Sequence, residues 1–262
     1  MKLTCLGTCS GTEPMPGRHH VSFTIERPSG VYWFDAGECC SYTAHLAGIN
    51  HLATRAIFIS HTHMDHTGGL PNLLWTIRKL NGMQKDKSQG MSGKTIKLLI
   101  PNLAPWQGML DMLKGTEGNF KIDFDIDATD YQDGVIYDED GLQVMALHNA
   151  HLGEPGEGQP WQSFSFRIEA DGKCIVFSGD VKDVRELDPL LDGCDLFLME
   201  TGHHKVEDVC GYLKDAKKNV ARLGFIHHGS AILEAPDREL AKAKAILGDK
   251  VFVADDGMTL EL

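Results

Sequence analysis

Short apolar runs alternate with amphipathic stretches along the whole chain. Runs rich in Val, Ile, Leu or Phe and bounded by polar residues are typical of buried or half-buried strands. This pattern predicts strands at Lys2–Gly7, Val21–Glu26, Val31–Phe34, Ala56–Ser60, Ile96–Ile100, Leu142–Leu147, Ser163–Ile168, Cys174–Phe177, Leu196–Met199, Leu223–Ile226 and Val251–Val253.

The amphipathic stretches predict helices between the strands. The predicted helices are Gly69–Leu80, Pro105–Lys114, Glu207–Arg222 and Asp237–Leu247. No internal repeat and no linker rich in Pro or Ser interrupts this alternation, so we expect residues 1–262 to form a single α/β domain.

Two polar segments, Asn81–Gly93 and Gly153–Pro160, read as loops. Each follows a group of candidate functional residues, a place where lids and substrate loops are often found. The sequence leaves open whether they have such a role or are ordinary surface loops.

Composition and charge narrow the class of protein. The formal net charge of −12 argues against a general nucleic-acid or membrane surface. The start of the chain is too short and too polar for a signal peptide, and no apolar run approaches the roughly 18 residues that span a bilayer. With seven cysteines and no CxxC pair, we expect a cytoplasmic protein with free thiols and no thiolate metal site.

One segment carries the chemistry. The predicted strand Ala56–Ser60 leads directly into His61, and His63, Asp65 and His66 follow within a few positions. These side chains cannot all enter a core unpaired, because each buried polar group without a partner costs about 1–3 kcal/mol. Imidazole and carboxylate are natural ligands of zinc, iron and manganese, so the segment predicts a metal centre.

The run from His61 to His66 resembles the HxHxDH signature of the metallo-β-lactamase superfamily. Other segments are similar to further parts of that pattern: Trp33–Glu38, Ile175–Asp180, Phe225–His228 and Ala254–Leu260. The resemblance implies an αββα sandwich of two mixed β-sheets flanked by helices, the metallo-β-lactamase fold.

Within the superfamily, the opening Leu6–Thr12 with Pro14, and Gly69-Leu70-Pro71, are most like ribonuclease Z and related phosphodiesterases. This implies a dinuclear metal-dependent phosphodiesterase that uses a metal-bridging hydroxide. Two divalent ions are implied, with zinc expected and manganese or iron as alternatives. Alternative functions are a lactonase or other carboxylic-ester hydrolase of the same fold, a diiron redox protein, and a metal-binding scaffold without activity.

The resemblance also implies a ligand set. His61, His63 and a third histidine would bind the first metal, Asp65, His66 and a late histidine the second, and Asp180 would bridge both. For the third histidine His151 is preferred over His148, and for the late histidine His227 over His228.

Proton transfer needs further groups. In ribonuclease Z-like enzymes a histidine ahead of the last ligand is thought to protonate the leaving group, and here His203 or His204 has that place. Asp65 is a second candidate for proton transfer. Asp35, at the end of a predicted strand, is expected to accept a hydrogen bond from a ligand histidine and fix its tautomer.

One departure from the family pattern concerns the substrate. Family ribonuclease Z enzymes carry a long arm between the third histidine and the bridging aspartate, and the interval from His151 to Asp180 is too short for one. This favours a small phosphodiester or a short nucleic acid as substrate. The resemblance makes a homodimer a further expectation.

Overall fold

The computed structural model describes residues 1–11, 17–116 and 120–262, so Thr12 and Pro14 of the opening segment lie outside the described residues. Contacts group the chain into two compact units, and a single domain stays a prediction. The first unit comprises Met1–Gly7, His19–Tyr131 and Gly257–Glu261, and the second comprises Thr8–Arg18, Gln132–Asp256 and Leu262.

The first unit contains a seven-stranded mixed sheet in the order β14-β1-β2-β3-β4-β5-β6. Strands β3 to β6 run parallel, and the remaining neighbours pair antiparallel. The strands are β1 (Lys2–Gly7), β2 (Ser22–Arg27), β3 (Gly30–Phe34), β4 (Thr54–Phe58), β5 (Thr95–Leu99), β6 (Asp125–Thr129) and β14 (Thr259–Glu261).

Helices of this unit cover the parallel part of its sheet. They are α1 (Cys40–Leu46), α2 (Met64–Thr67), α3 (Leu70–Met83) and α4 (Leu103–Lys114). One buried cluster joins Trp33 and Ile57 of the sheet with Leu73 and Ile77 of α3 and Trp106 of α4. Burial of this apolar surface is the main force that holds the helices on the sheet.

The second unit contains another seven-stranded mixed sheet, in the order β13-β12-β11-β10-β9-β8-β7. Here β10 to β13 run parallel, and β7 to β10 pair antiparallel. The elements are β7 (Gly134–Glu139), β8 (Leu142–His148), β9 (Phe164–Ala170), β10 (Lys173–Phe177), β11 (Cys194–Thr201), α5 (Val206–Asp215), β12 (Val220–His228), α6 (Ser230–Glu234), α7 (Pro236–Leu247) and β13 (Val251–Val253).

Parallel strands place the functional segments at one edge of each sheet. In the first unit Asp35 follows β3 and His61 follows β4, and these strands are parallel neighbours. In the second unit Asp180 follows β10, His203 follows β11 and His227 lies at the end of β12, again on parallel neighbours. Carboxyl ends of parallel strands are the usual place for ligand sites in α/β proteins.

The structure corrects one predicted boundary. Glu207–Arg222 was expected to be one helix, but α5 ends at Asp215 and β12 begins at Val220. Lys217 adopts a left-handed backbone with a φ of 53°, and the Lys218 amide donates to the Leu213 carbonyl at 3.0 Å. A left-handed residue at this position commonly ends a helix and is usually a glycine. Because this chain has a lysine there, the sequence carried no sign that the helix ends.

Strands β6 and β7 and helices α1, α2 and α6 were not predicted, and β14 was indicated only by the similarity of Ala254–Leu260 to the family's closing strand. None of the described helices is long and apolar enough to cross a membrane. The seven cysteines are free thiols, as predicted.

Candidate metal centre

The first unit brings the histidines of the motif together. His61 Nε2 lies 3.0 Å from His63 Nδ1, and the rings of His61 and His66 have centroids 4.0 Å apart. The Asp65 carboxylate lies 3.6 Å from His66 Nε2. His61 and His66 are buried and His63 is exposed, so the cluster reaches from the interior to the surface of the unit.

A short helix creates this arrangement. Helix α2 begins directly after His63, whose carbonyl accepts hydrogen bonds from the His66 and Thr67 amides, both at 3.1 Å. The turn brings the side chains that follow back toward His61. The sequence had predicted the donors but not the helix that orients them.

A buried carboxylate fixes His66. Asp35 has no exposed surface and accepts hydrogen bonds from His66 Nδ1 at 2.7 Å, the Ser60 amide at 2.7 Å and the Ser60 hydroxyl at 2.8 Å. Because Nδ1 carries the proton, the lone pair of His66 is on Nε2, which suits a metal ligand. The predicted acceptor role of Asp35 is confirmed.

Backbone bonds hold the two segments of this cluster together. The Ala36 amide donates to the His66 carbonyl at 2.7 Å, and the Gly69 amide donates to the Ala36 carbonyl at 2.8 Å. A Cβ at Gly69 would lie 2.1 Å from the Gly37 carbonyl oxygen. Only glycine permits this approach, which places Asp35 beside His66.

The second unit forms its own cluster of candidate ligands. One donor atom each of Asp180, His203 and His227 lies within 4.8 Å of the others. Asp180 Oδ1 is 3.4 Å from His227 Nδ1, and Asp180 Oδ2 is 3.6 Å from His151 Nε2. Asp180 and His227 are buried, whereas His203 is exposed. The strand end bearing His227 has a left-handed backbone, with a φ of 51° at that residue.

Glu200 is a buried carboxylate that binds His203 of this second cluster. It is fully buried and accepts hydrogen bonds from the His203 amide at 2.9 Å and from His203 Nδ1 at 3.0 Å. Burial raises the pKa of Glu200, but the hydrogen bond from His203 and the nearby His227 imidazole, 3.9 Å away, outweigh it and lower the pKa to about 2. Glu200 in turn raises the pKa of His203 through their hydrogen bond. The sequence analysis gave Glu200 no role.

The alternative histidines make other contacts in the second unit. His148 Nδ1 donates to Asp133 at 2.6 Å, and its ring stacks on Trp161. His204 Nε2 donates to the Val181 carbonyl at 3.0 Å.

His228 Nε2 donates to the Ala254 carbonyl at 2.8 Å, and burial lowers the pKa of His228 to about 3. Of each alternative pair, the structure therefore brings His151, His203 and His227 to Asp180. His148 and His228 bond elsewhere, whereas His204 bonds the Val181 carbonyl and lies 3.5 Å from Glu200.

A chain of small polar residues positions the loop that carries His151. The His151 amide donates to Asn149 Oδ1 at 3.1 Å, and Asn149 Nδ2 donates to the Ser165 hydroxyl at 3.1 Å. Glu186 accepts from the Ala150 amide at 2.8 Å. No sequence motif marks these residues, because their partners come from distant strands.

The donor set suits a divalent metal. Both clusters offer imidazole and carboxylate groups and no thiolate, the combination that binds zinc, manganese and iron. Both also include a buried carboxylate that orients a histidine, Asp35 in one and Glu200 in the other, an arrangement usual around ligand histidines.

Comparison with known proteins shows similarity to ribonuclease Z. Ribonuclease Z from Picrophilus torridus is 26% identical over 300 aligned positions, which cover 95% of this chain and 92% of that protein. Ribonuclease Z from Methanothermobacter thermautotrophicus is 30% identical over 151 positions, covering 58% of this chain and 45% of that protein. The matched part is therefore less than half the length of that second relative.

Solved structures show the fold. The metallo-β-lactamase fold protein YhfI from Bacillus subtilis is 16% identical with a TM-score of 0.76, covering 100% of this chain and 99% of that one. Human tRNase Z, short form, is 18% identical with a TM-score of 0.72 at the same coverage. The expected fold class, the αββα sandwich of the metallo-β-lactamase fold, is confirmed by these likenesses.

The chain is thus a ribonuclease Z-like protein of the metallo-β-lactamase superfamily. Within this class it matches the family described as "Anti-Pycsar protein Apyc1" over residues 1–225, and it belongs to that family.

Proposed function

We propose that this protein is a dinuclear metal-dependent phosphodiesterase that acts on small phosphodiesters. The main support for the proposal is the cluster of Asp180, His203 and His227, in which His203 bonds the buried Glu200. The same chain also contains the His61–His66 motif. The ribonuclease Z relatives favour phosphodiester hydrolysis over lactone hydrolysis or diiron redox chemistry.

The proposed ligand set is the one that the resemblance to the superfamily implies. One metal is assigned to His61, His63 and His151, the other to Asp65, His66 and His227, with Asp180 shared. Zinc is the metal we propose. When bound, the two ions would act as Lewis acids that activate water and balance the charge that develops on the phosphoryl oxygens.

His203 is the proposed proton donor to the leaving group. Its Nδ1 donates to Glu200, so the proton available for transfer is on Nε2. Glu200 favours the protonated imidazole, since it raises the pKa of His203. His204 is the second candidate, but its Nε2 proton is engaged with a backbone carbonyl. Asp65 is proposed to accept a proton from the attacking water.

The shape of the second unit supports a small substrate. The segment between β8 and β9 is a loop. Gln132 holds it in place, because its side-chain oxygen accepts from the Trp161 amide at 3.1 Å and its side-chain nitrogen donates to the Trp161 carbonyl at 3.2 Å. The described residues 149–179 contain this loop, β9 and β10 and no projecting arm. A small phosphodiester or a short nucleic acid is therefore the proposed substrate. A homodimer and a cytoplasmic location stay predictions.

Metal analysis combined with a substrate panel tests the proposal. We expect about two divalent ions per chain in active protein, and hydrolysis of linear or cyclic phosphodiesters in preference to phosphomonoesters, lactones and β-lactams. His61→Ala and Asp180→Ala should abolish activity and leave a folded protein by circular dichroism.

His148→Ala is the matched control, because it removes an imidazole that contacts Asp133 rather than the cluster, and it should keep both metals. Fully active protein with one ion or none would contradict the dinuclear site. A preference for lactones would contradict the phosphodiesterase.

A further inference from the structure

A polar cavity lies in the first unit at the edge of the sheet opposite the motif histidines. It has a volume of about 340 Å³ and is lined by residues that include Gly30, Thr54 and Lys94. Gly30 and Thr54 begin β3 and β4, and Lys94 directly precedes β5. Since these strands are parallel, their carboxyl ends, which lead to Asp35 and His61, are one strand length away, roughly 16 Å.

The lining of this cavity carries an excess of positive charge. Arg27, Arg55 and Lys94 are its basic residues. Glu26 is the one carboxylate among the described residues that line it, and it forms an ion pair of 2.8 Å with Lys2. In a chain with a net charge of −12, such a concave basic site is a local exception that favours an anion.

Arg55 is held in place by the backbone around it. Its Nε donates to the Ser29 carbonyl at 2.9 Å. A Cβ at Gly30 would lie 2.5 Å from Arg55 Cγ, and the φ of +147° at this position suits glycine. The missing side chain of Gly30 therefore provides the space in which the Arg55 side chain packs, so little rotamer freedom is left to lose on binding.

The predicted loop Asn81–Gly93 begins only after Met83, where α3 ends, and its later part supplies a further side of the cavity. Ser88 and Gln89 are among its lining residues, and the Ser88 hydroxyl donates to Asp86 at 2.7 Å. The loop is ordered by hydrogen bonds from the Met91 amide to Asn81 Oδ1 at 2.7 Å and from Lys94 Nζ to the Gly90 carbonyl at 2.6 Å. The polar composition noted in the sequence thus contributes to this cavity.

We propose that the cavity binds the phosphate group of a small phosphorylated molecule, at a site separate from the metal centre. Guanidinium groups recognise phosphate through paired hydrogen bonds, and a lysine adds a point charge. The neutral hydroxyl and amide groups would bind the rest of the ligand. The volume lies in the range of small-molecule pockets, about 300–1,000 Å³, and the concave shape favours a small ligand over a nucleic-acid strand.

Calorimetric titration of the metal-loaded protein with inorganic phosphate and with pyrophosphate tests this site. Arg55→Gln should weaken binding about tenfold, because a charged donor pair is lost, and Lys94→Gln about threefold, because that residue is more exposed. Lys244→Gln is the control, since Lys244 is an exposed cation on α7 that pairs with Asp249 at 3.2 Å, and it should bind as the wild type does. His61→Ala should keep the Arg55-dependent binding event.

Two results would overturn the proposal. One is that titrations of Arg55→Gln and Lys94→Gln superimpose on that of the wild type. The other is that all binding disappears in His61→Ala, which would place the anion at the metal centre alone. If circular dichroism shows that Arg55→Gln is unfolded, Lys94→Gln and Arg27→Gln decide, and unchanged affinity in both rejects the site.

Discussion

At the scale of single residues, two buried carboxylates govern the histidines of the candidate site. Asp35 and Glu200 are both inaccessible to solvent, and each accepts a hydrogen bond from a histidine Nδ1, at 2.7 Å for His66 and 3.0 Å for His203. In a low-dielectric interior such charge-assisted bonds are strong, and they fix both the tautomer and the ring orientation. The same device therefore serves a proposed metal ligand in one unit and a proposed proton donor in the other.

Asp35→Asn should weaken metal binding without removing a ligand. An amide is a poorer acceptor than a carboxylate, so His66 would be less basic and less well oriented, and we expect metal affinity to fall about 10–100-fold. Competition with a chromogenic chelator measures this change. Asp133→Asn is a matched control, because Asp133 bonds His148 in the same way at 2.6 Å, away from Asp180. Equal affinities in the two variants would contradict the role of Asp35.

His203→Ala should lose turnover and keep its metals. We expect a loss of about two to four decades on substrates with poor leaving groups, the usual contribution of general acid catalysis. The loss should shrink for activated diesters such as p-nitrophenyl esters, whose leaving group needs no proton. His204→Ala is the comparison. A large loss in His204→Ala alone would transfer the role to that residue, and no loss in either would leave the pair without a catalytic function.

The site could be predicted from the sequence where the donors are close together along the chain. The His61–His66 motif is one continuous segment, so its chemistry is visible without a structure. Glu200 was missed because its bond to His203 depends on the turn at Gly202. The choice between His227 and His228 was also open, because neighbouring residues at a strand end differ only in the direction of their side chains, which the structure supplies.

At the scale of elements, the strands that the hydrophobic pattern missed all lie at sheet edges. β6 and β14 are the outer strands of the first sheet, and β7 is one of the two outer strands of the second. β6 alternates between exposed and half-buried positions and contains Asp125 and Asp127. An edge strand has neighbours on one side only, so its sequence carries fewer apolar residues than the pattern requires. The central strands were predicted because they are buried.

A substitution at Gly202, in the connection between β11 and α5, tests whether this residue leaves space for the His227 ring. A Cβ at Gly202 would lie 2.8 Å from His227 Nδ1 and 3.0 Å from its Cε1, so Gly202→Ala should displace the His227 ring. We expect weaker metal binding and at least about a tenfold loss of activity, since small misplacements are costly at a reacting centre.

Gly211→Ala is the control for this substitution. Gly211 lies within α5, and a Cβ there would meet nothing within 4 Å. Alanine should stabilise that helix by about 0.5–1 kcal/mol and leave activity unchanged. Wild-type activity and metal affinity in Gly202→Ala would show that the His227 ring does not need this space.

At the scale of the whole molecule, charge and family membership bear on the substrate in different ways. The ribonuclease Z relatives point to phosphodiester cleavage in RNA. The net charge of −12 acts against a long polyanion more than against a small diester. The interval between His151 and Asp180 is too short to contain an arm that could hold a distant part of an RNA. The relatives do not define substrate size, but the net charge and the short interval both favour a small substrate.

We therefore expect measurable hydrolysis of bis-p-nitrophenyl phosphate and weak or no removal of the 3′ trailer from precursor tRNA. The measurement is kcat/KM for both substrates with the same metal and at the same ionic strength. Raising the salt should narrow the difference, because repulsion between exposed charges is screened with a Debye length of about 8 Å at physiological ionic strength. Efficient, site-specific trailer removal at physiological salt would contradict the expectation. It would mean that another surface of the protein, or a second copy of the chain, holds the RNA in place of an arm.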